Sequence, residues 1–332
     1  MSARLYPVWV YQIPFPFRFG KLATGLLIFA VMWVVLISVN RFGELGFYAE
    51  LFFAAMFAYI VPVYSRIVDR SVATFDEIES LLLASPQECA RWRQELSHRS
   101  LLWQWGNLVL ALFLGVCNIA MAHASGASGV IEDIISGHGE YVTYTLTLLV
   151  WVTMTTSIGA LLGNARLFGK FGRLMRIDLL HSPALLSVAR VAILSTLSVV
   201  GAQTMFVFLV LDTDAVWLDI LPGFAAATLT ALALFLLPVW PLHERLQAAK
   251  KIELAEINHQ LEYLRPHAST ALDDTEDIDQ VNRLLLYRRE IQQVSEWPFD
   301  IPSLTQLGLY LTIPPLTWVA SALIERVVDA VM

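Results

Sequence analysis

Seven stretches of this sequence are long and apolar enough to cross a membrane as helices, and no other feature limits the possible folds as strongly. A hydrocarbon core of ~30 Å requires about 20 apolar residues of helix. None of the stretches shows the two-residue alternation of a membrane barrel, and lipid does not tolerate open sheet edges. The stretches are Leu22 to Val39, Phe47 to Tyr64, Leu101 to Met121, Tyr141 to Gly163, Val191 to Leu211, Ile220 to Trp240 and Leu304 to Ile324. The sequence therefore predicts an all-α polytopic membrane bundle of seven transmembrane helices with helical extensions into the cytoplasm.

The composition agrees with a membrane protein and excludes several other classes. Hydrophobic residues make up 57% of the 332 residues and charged residues 15%, whereas soluble domains carry about 25% charged residues. A secreted disulfide scaffold, a nucleic-acid binder and a disordered regulator are therefore excluded. Cys89 and Cys117 fall in a charged helical stretch and an apolar stretch, and we expect both to stay unpaired.

The distribution of basic residues predicts the orientation in the cell membrane. With a cytoplasmic N-terminus, the inner segments hold 20 of the 22 Lys and Arg residues, and only Arg41 and Arg326 fall outside. This positive-inside bias predicts a multi-pass chain with its N-terminus in the cytoplasm and its C-terminus outside. Ten of the 29 acidic residues lie on the outer side. One interpretation is that these acidic residues attract cations to an axial opening in an oligomer. The other is that they only make short outer loops hydrophilic.

Two features of the first cytoplasmic segment predict helices. Residues 74–83 have the pattern of a short amphipathic helix after the second span. Ser85, Pro86 and Glu88 then form a capping-box sequence, with Pro86 at the first helical position. We expect the helix that begins here to run directly into the third span.

The charge and periodicity patterns divide the chain into three parts. Residues 1–240 hold spans one to six with short cytoplasmic helices, residues 241–302 form a cytoplasmic helical hairpin or anchor, and residues 303–332 hold the last span. In the hairpin, apolar residues recur at helical spacing on a first stripe and on a second stripe. Between the two stripes, Arg265, Pro266 and the polar run through Asp274 are expected to break the helix. The stripes are Leu254, Ile257, Leu261 and Leu264, then Ile278, Val281 and Leu285. They could pack on each other within one subunit, on other subunits, or both.

Signatures of chemistry are poor. The seven histidines include no pair at i, i+4 and no HExxH, and no cysteine ligands accompany them. We therefore expect no metal site, no cofactor and no enzymatic activity. The spans contain no Asp, Glu, Lys, Arg or His apart from Glu50 in the first turn of span two. Proton-coupled transporters place ionisable residues at mid-depth, so this class is disfavoured.

The last span carries a continuous polar stripe. Its members recur at intervals of three and four residues within an arc of ~100°, and lipid does not tolerate such a face. Pro314 and Pro315 remove two backbone donors in mid-span and form a candidate hinge. The candidate pore-lining residues are Ser303, Gln306, Tyr310, Thr317, Ser321 and Glu325. A pore helix is one interpretation, and a helix packed inside its own subunit is the other.

Three motifs carry a resemblance. The runs Arg176-Ile177-Asp178-Leu179, Leu237-Pro238-Val239-Trp240-Pro241-Leu242-His243 and Glu296-Trp297-Pro298-Phe299-Asp300 resemble those of a family of uncharacterised prokaryotic multi-span membrane proteins. The topology is also similar to that of the insect odorant and gustatory receptors, which are tetrameric ligand-gated cation channels. This resemblance implies that residues 303–324 are the pore half of the last helix. It also implies that residues 277–297 belong to a shared cytoplasmic anchor.

These observations predict a homotetrameric, chemoreceptor-like cation channel whose last span lines the pore, with Glu325 near the outer mouth. Its partners would be the lipid bilayer, further copies of the chain and an unknown small-molecule ligand, but no nucleic acid. Two alternatives remain. Residues 75–88 resemble the coupling segment of ATP-driven permeases, and the cytoplasmic helices could also make the protein a scaffold for a soluble partner.

Overall fold

The computed structural model describes residues 5–17, 19–39, 46–122, 126–136, 140–177, 179, 183–211, 217–270 and 275–299, and positions 305, 308, 309, 312 and 316. These residues form a helical bundle with one small two-stranded sheet. The strands are β1 (Leu5–Pro7) and β2 (His98–Ser100). The helices are α1 (Trp9–Gln12), α2 (Gly20–Val39), α3 (Phe47–Ile78), α4 (Pro86–Glu95), α5 (Leu101–Ala122), α6 (Gly126–Ser136), α7 (Tyr141–Leu174), α8 (Pro183–Thr204), α9 (Val207–Val210), α10 (Trp217–Thr270) and α11 (Thr275–Gln293).

Six of the described helices are long and apolar enough to cross a membrane. They are α2, α3, α5, α7, α8 and α10, and each contains most of one predicted span. The predicted all-α bundle is thus confirmed for the described residues, as expected of a multi-pass membrane protein. The seventh predicted span lies almost wholly outside the described residues, so it stays a prediction.

Three of these helices continue well beyond their predicted spans. Helix α3 extends to Ile78 and α7 to Leu174, and α10 is 54 residues long. The prediction of a separate amphipathic helix over residues 74–83 is therefore wrong, because residues 74–78 are the last turn of α3. Hydropathy marks only the part of a helix that can lie in lipid, and no glycine or proline interrupts residues 65–78. A short 3₁₀ turn, Glu79–Leu81, follows.

The predicted capping box is present at the start of α4. Ser85 Oγ accepts a hydrogen bond from Glu88 N at 3.4 Å, and Glu88 Oε2 accepts one from Ser85 N at 3.0 Å. Ser85 Oγ also donates to Glu88 Oε2 at 2.9 Å, and the two hydrogen bonds that Ser85 donates to the Glu88 carboxylate hold its pKa below the usual value. The expected continuation of this helix into the third span is wrong. Helix α4 ends at Glu95, and β2 pairs antiparallel with β1 before α5 begins.

The inner ends of the helices, on the predicted cytoplasmic side, share an aromatic cluster. Phe75 of α3, Trp92 of α4, and Phe168 and Phe171 of α7 are buried there. Their rings lie 5.1 to 5.5 Å apart, a spacing typical of stabilising aromatic pairs. Lys170 lies over the Trp92 ring at 4.4 Å. The extensions of the spans therefore pack into a second core beyond the membrane part.

Close packing of α7 on α10 depends on a glycine. A Cβ at Gly169 would lie 2.5 Å from the backbone oxygen of Leu237. We therefore expect Gly169→Ala to push the helices apart and to lower the free energy of unfolding by about 1–3 kcal/mol. Gly106→Ala is the matched control, because nothing lies within 4 Å of its added Cβ. Thermal unfolding in one detergent checks the pair, and equal midpoints would show that this contact is unimportant.

Candidate functional site

The predicted pore-lining residues and the proline hinge all lie outside the described residues. This applies to Ser303, Gln306, Tyr310, Thr317, Ser321, Glu325, Pro314 and Pro315. The described positions of the last span are helical and exposed, with Leu309 at 65% and Leu316 at 61%. At 100° per residue these positions belong to the face of the pattern opposite the polar stripe. Leu316 is therefore a natural control position for tests of the stripe.

The hairpin of α10 and α11 confirms the first predicted stripe. Ile257 is buried, and Leu254, Leu261 and Leu264 are partly covered. Tyr287 Oη of α11 donates a hydrogen bond to Glu253 Oε1 at 2.9 Å, so the two helices lie against each other. Much of this stripe is thus covered within one subunit.

The second predicted stripe is only partly correct. Val281 is half-buried, but Leu285 is 45% exposed and Ile291 is fully buried instead. The side chain of Ile278 lies outside the described residues. The predicted break over residues 265–274 begins later than expected. Helix α10 continues past Pro266 to Thr270, and α11 begins at Thr275, so the observed break lies in the second half of the predicted range.

The segment after α11 is fastened to α10, and we call residues 294–299 the clamp. The His243 and Trp297 rings stack with centroids 4.0 Å apart and planes 12° from parallel. His243 Nδ1 donates to the backbone oxygen of Glu296 at 2.8 Å. Further along, the Phe235 and Phe299 rings stack at 5.3 Å. Two of the motifs noted in the sequence, one around His243 and one around Trp297, therefore contact each other.

Lys250 ties the end of α11 to α10. Its Nζ donates to the backbone oxygens of Gln292 at 2.9 Å and Val294 at 2.8 Å, and it lies 3.7 Å from Glu296 Oε1. A cation at the C-terminus of a helix is stabilising, because the last carbonyls have no partner within the helix. The clamp thus combines ring stacking with a charged cap.

Replacing Lys250 should loosen the clamp. We expect Lys250→Met to raise the hydrogen-exchange rates of amides near residues 291–299 about tenfold, since two charge-assisted hydrogen bonds are lost. Lys251→Met is the matched control, because Lys251 is exposed and adjacent. Hydrogen-exchange mass spectrometry of the full chain provides the measurement. Equal exchange in the two variants would mean that Lys250 does not hold the clamp.

A buried cation lies at the inner end of the bundle. Arg99 in β2 is 8% exposed. Its guanidinium donates to Asn164 Oδ1 at 2.7 Å, to the Ala160 backbone oxygen at 3.0 Å, and to the backbone oxygen of Glu95. Burial lowers the pKa of Arg99 from its usual value, an effect partly offset by the nearby carboxylate of Glu95. The side chain joins the end of α4 to α7.

The N-terminal segment is fixed beside this arginine. Val8 and Val10 are buried, and Tyr11 Oη donates to Asp69 Oδ1 of α3 at 2.9 Å. Burial and this carboxylate raise the pKa of Tyr11 to about 12. Lys21 also pairs with Asp69. The sequence patterns did not predict the burial of Arg99 or the pairing of Lys21 with Asp69. An arginine or lysine beside a span is normally interpreted only as an orientation signal.

Among the described residues, no group of three or more His, Cys, Asp or Glu side chains could hold a metal ion. Cys89 and Cys117 are both free.

No protein-family model matches the chain, and no curated protein or solved structure matches it. The arrangement of the helices and the clamp is therefore the basis for a functional proposal.

Proposed function

We propose that this chain is the subunit of a homotetrameric, chemoreceptor-like cation channel, with the last predicted span lining the pore. The observation that carries the proposal is the clamp. It fastens residues 294–299, a few residues before the last predicted span, to the middle of α10, around the inner end of the sixth predicted span. A helix that enters the membrane from such a fixed point can transmit a movement of the hairpin to the pore.

Charge and polarity support cation conduction. The polar stripe of the last span needs protein or water beside it, and the outer loops carry an excess of acidic residues. An acidic mouth concentrates cations and repels anions. In this proposal the N-terminus is cytoplasmic, the C-terminus is outside, and a small-molecule ligand favours one of two packings of the subunits.

The permease alternative has less support. A coupling segment must present apolar side chains to a separate ATPase. Here Phe75, Ile78 and Leu82 are buried within the subunit, and the backbone of Leu83 donates to Leu174 O of α7 at 2.9 Å. These three apolar side chains of the segment therefore pack in the internal core of the subunit.

Flux through liposomes that contain only this chain tests the proposal. We expect the open packing to be populated to a small extent without ligand, which gives passive movement of K⁺ that needs no ATP and exceeds Cl⁻ movement. The clamp variant Lys250→Met should change the K⁺ rate, whereas Lys251→Met should leave it unchanged. No K⁺ flux in either the wild type or the clamp variant, or equal K⁺ and Cl⁻ flux, would contradict a cation channel.

A further inference from the structure

A groove lies beside the start of α5, at the predicted inner boundary of the membrane. Its volume is about 210 Å³, and polar atoms make up a substantial part of its wall. Helix α1, the first two turns of α5 and one residue of α7 form the lining. The lining residues are Trp9, Leu101, Gln104, Trp105, Leu108 and Thr156. Because Trp9, Leu101 and Trp105 are exposed, the groove is open at the surface of the bundle.

Two unused hydrogen-bond donors line this groove. The indole rings of Trp9 and Trp105 belong to its wall, and within the described part of the chain neither indole nitrogen donates a hydrogen bond. Gln104 is already engaged, because its Nε2 donates to the backbone oxygen of Tyr6 at 3.3 Å. Tryptophan is enriched at membrane–water boundaries, where its ring meets apolar chains and its N–H meets polar groups. The groove therefore offers N–H donors at the depth where the ester groups of lipids lie.

An apolar stripe of α5 runs outward from the groove. Its residues recur at helical spacing and are 40% to 65% exposed, and they are Trp105, Val109, Leu112 and Val116. The stripe is about 16 Å long at 1.5 Å per residue, close to half of a ~30 Å hydrocarbon core. Only 11% of the apolar window of α5 is buried, against 22% to 61% for the other five candidate spans. Contacts between membrane helices favour small residues, so this face of larger side chains fits a lipid chain better than a second subunit.

We propose that this groove and stripe bind one acyl-ester phospholipid from the leaflet on the predicted cytoplasmic side. The indole N–H groups of Trp9 and Trp105 donate to ester carbonyl oxygens, and one acyl chain lies along the stripe towards Val116. A void of ~150 Å³ holds benzene, so a groove of about 210 Å³ accommodates an ester group with its glycerol carbons, while the acyl chains extend beyond it. The site does not depend on the channel proposal.

Competition between two matched lipids tests the site without any ion-flux measurement. Delipidated full-length protein in detergent receives equal amounts of dioleoyl phosphatidylcholine and its diether analogue, in which CH₂ replaces each ester carbonyl. The two lipids differ in mass, so native mass spectrometry counts the bound copies of each. Leu108→Trp fills the groove with a larger side chain. Leu110→Trp is the matched control, because Leu110 is exposed on the same helix and lies outside the lining.

We expect the diester to bind in about fivefold excess over the diether, the ratio that one net hydrogen bond gives. Trp9→Phe combined with Trp105→Phe should remove this excess, because phenylalanine keeps a ring but has no N–H. Leu108→Trp should lower the binding of both lipids at least about threefold, whereas Leu110→Trp should leave it unchanged. If Leu108→Trp does not fold, Leu101→Trp at the rim of the groove replaces it.

Three results would overturn the proposal. The first is equal binding of the two lipids to the wild type, or no bound lipid at all. The second is an excess of diester that survives the double phenylalanine substitution. The third is a loss of binding that is the same, or absent, in the groove-filling variant and in Leu110→Trp.

Discussion

Replacing Arg99 by methionine is expected to lower the free energy of unfolding by about 2–4 kcal/mol, because buried acceptors lose their charged donor. The guanidinium joins Asn164 Oδ1 and the Ala160 backbone oxygen of α7 to the backbone oxygen of Glu95 at the end of α4. Methionine keeps an unbranched aliphatic stem, but it is shorter than arginine and donates no hydrogen bond. The backbone oxygen of Glu95 would also lose a cation at a helix C-terminus, where positive charge is favourable.

The matched control for Arg99 is Arg91→Met. Arg91 pairs with Glu95 one turn along α4, and its side chain is 67% exposed, so its loss should cost under about 1 kcal/mol. Thermal unfolding in detergent should show a midpoint lower by about 3–6 °C for Arg99→Met and little change for Arg91→Met. Arg99→Lys should fall between them, because lysine keeps the charge but not the planar fork. Equal midpoints for the two methionine variants would mean that Arg99 does not stabilise the inner end of the bundle.

Ser321→Trp is expected to reduce cation flux at least about tenfold, because a large apolar side chain in a narrow pore excludes water and ions. Ser321 belongs to the outer part of the polar stripe, which the channel proposal places beside the water-filled axis. Flux of K⁺ from liposomes containing only the variant chain is the measurement, with reconstitution checked by the amount of incorporated protein.

Leu316→Trp is the control for Ser321→Trp, since it adds a tryptophan to the same span on the opposite, exposed face. Leu316 is 61% exposed, so a larger side chain can be accommodated without displacing a neighbour. Its flux should stay within about twofold of wild type, because exposed substitutions rarely disturb a fold. If both tryptophans reduce flux equally, or neither does, the stripe does not line the pore.

Much of the membrane part could be predicted from the sequence, because long apolar runs have few alternative folds in lipid. The starts of α3, α5 and α7 coincide with those of the predicted spans. The capping box at Ser85 and the stripe around Ile257 were also predictable, since both depend on local spacing along one helix. These features need no knowledge of distant contacts.

Features that depend on distant contacts could not be predicted in this way. Strands β1 and β2 are three residues each and pair across more than 90 positions of sequence, so neither has a periodicity to recognise. The burial of Arg99 depends on Asn164 of a different helix. Helix α6 on the predicted outer side was missed because its 11 residues are too few to cross a membrane. The stacking of His243 on Trp297 brings together two motifs that lie far apart in the sequence, and nothing in either motif indicates that it contacts the other.

The most direct test of the channel account is a cryo-electron microscopy structure of the purified assembly in nanodiscs. We expect four copies around an axis along the membrane normal, with Ser303, Gln306, Ser321 and Glu325 nearest that axis and a water-filled passage between them. An isolated subunit, or an assembly that holds these residues against its own helices and leaves no axial passage, would contradict the account.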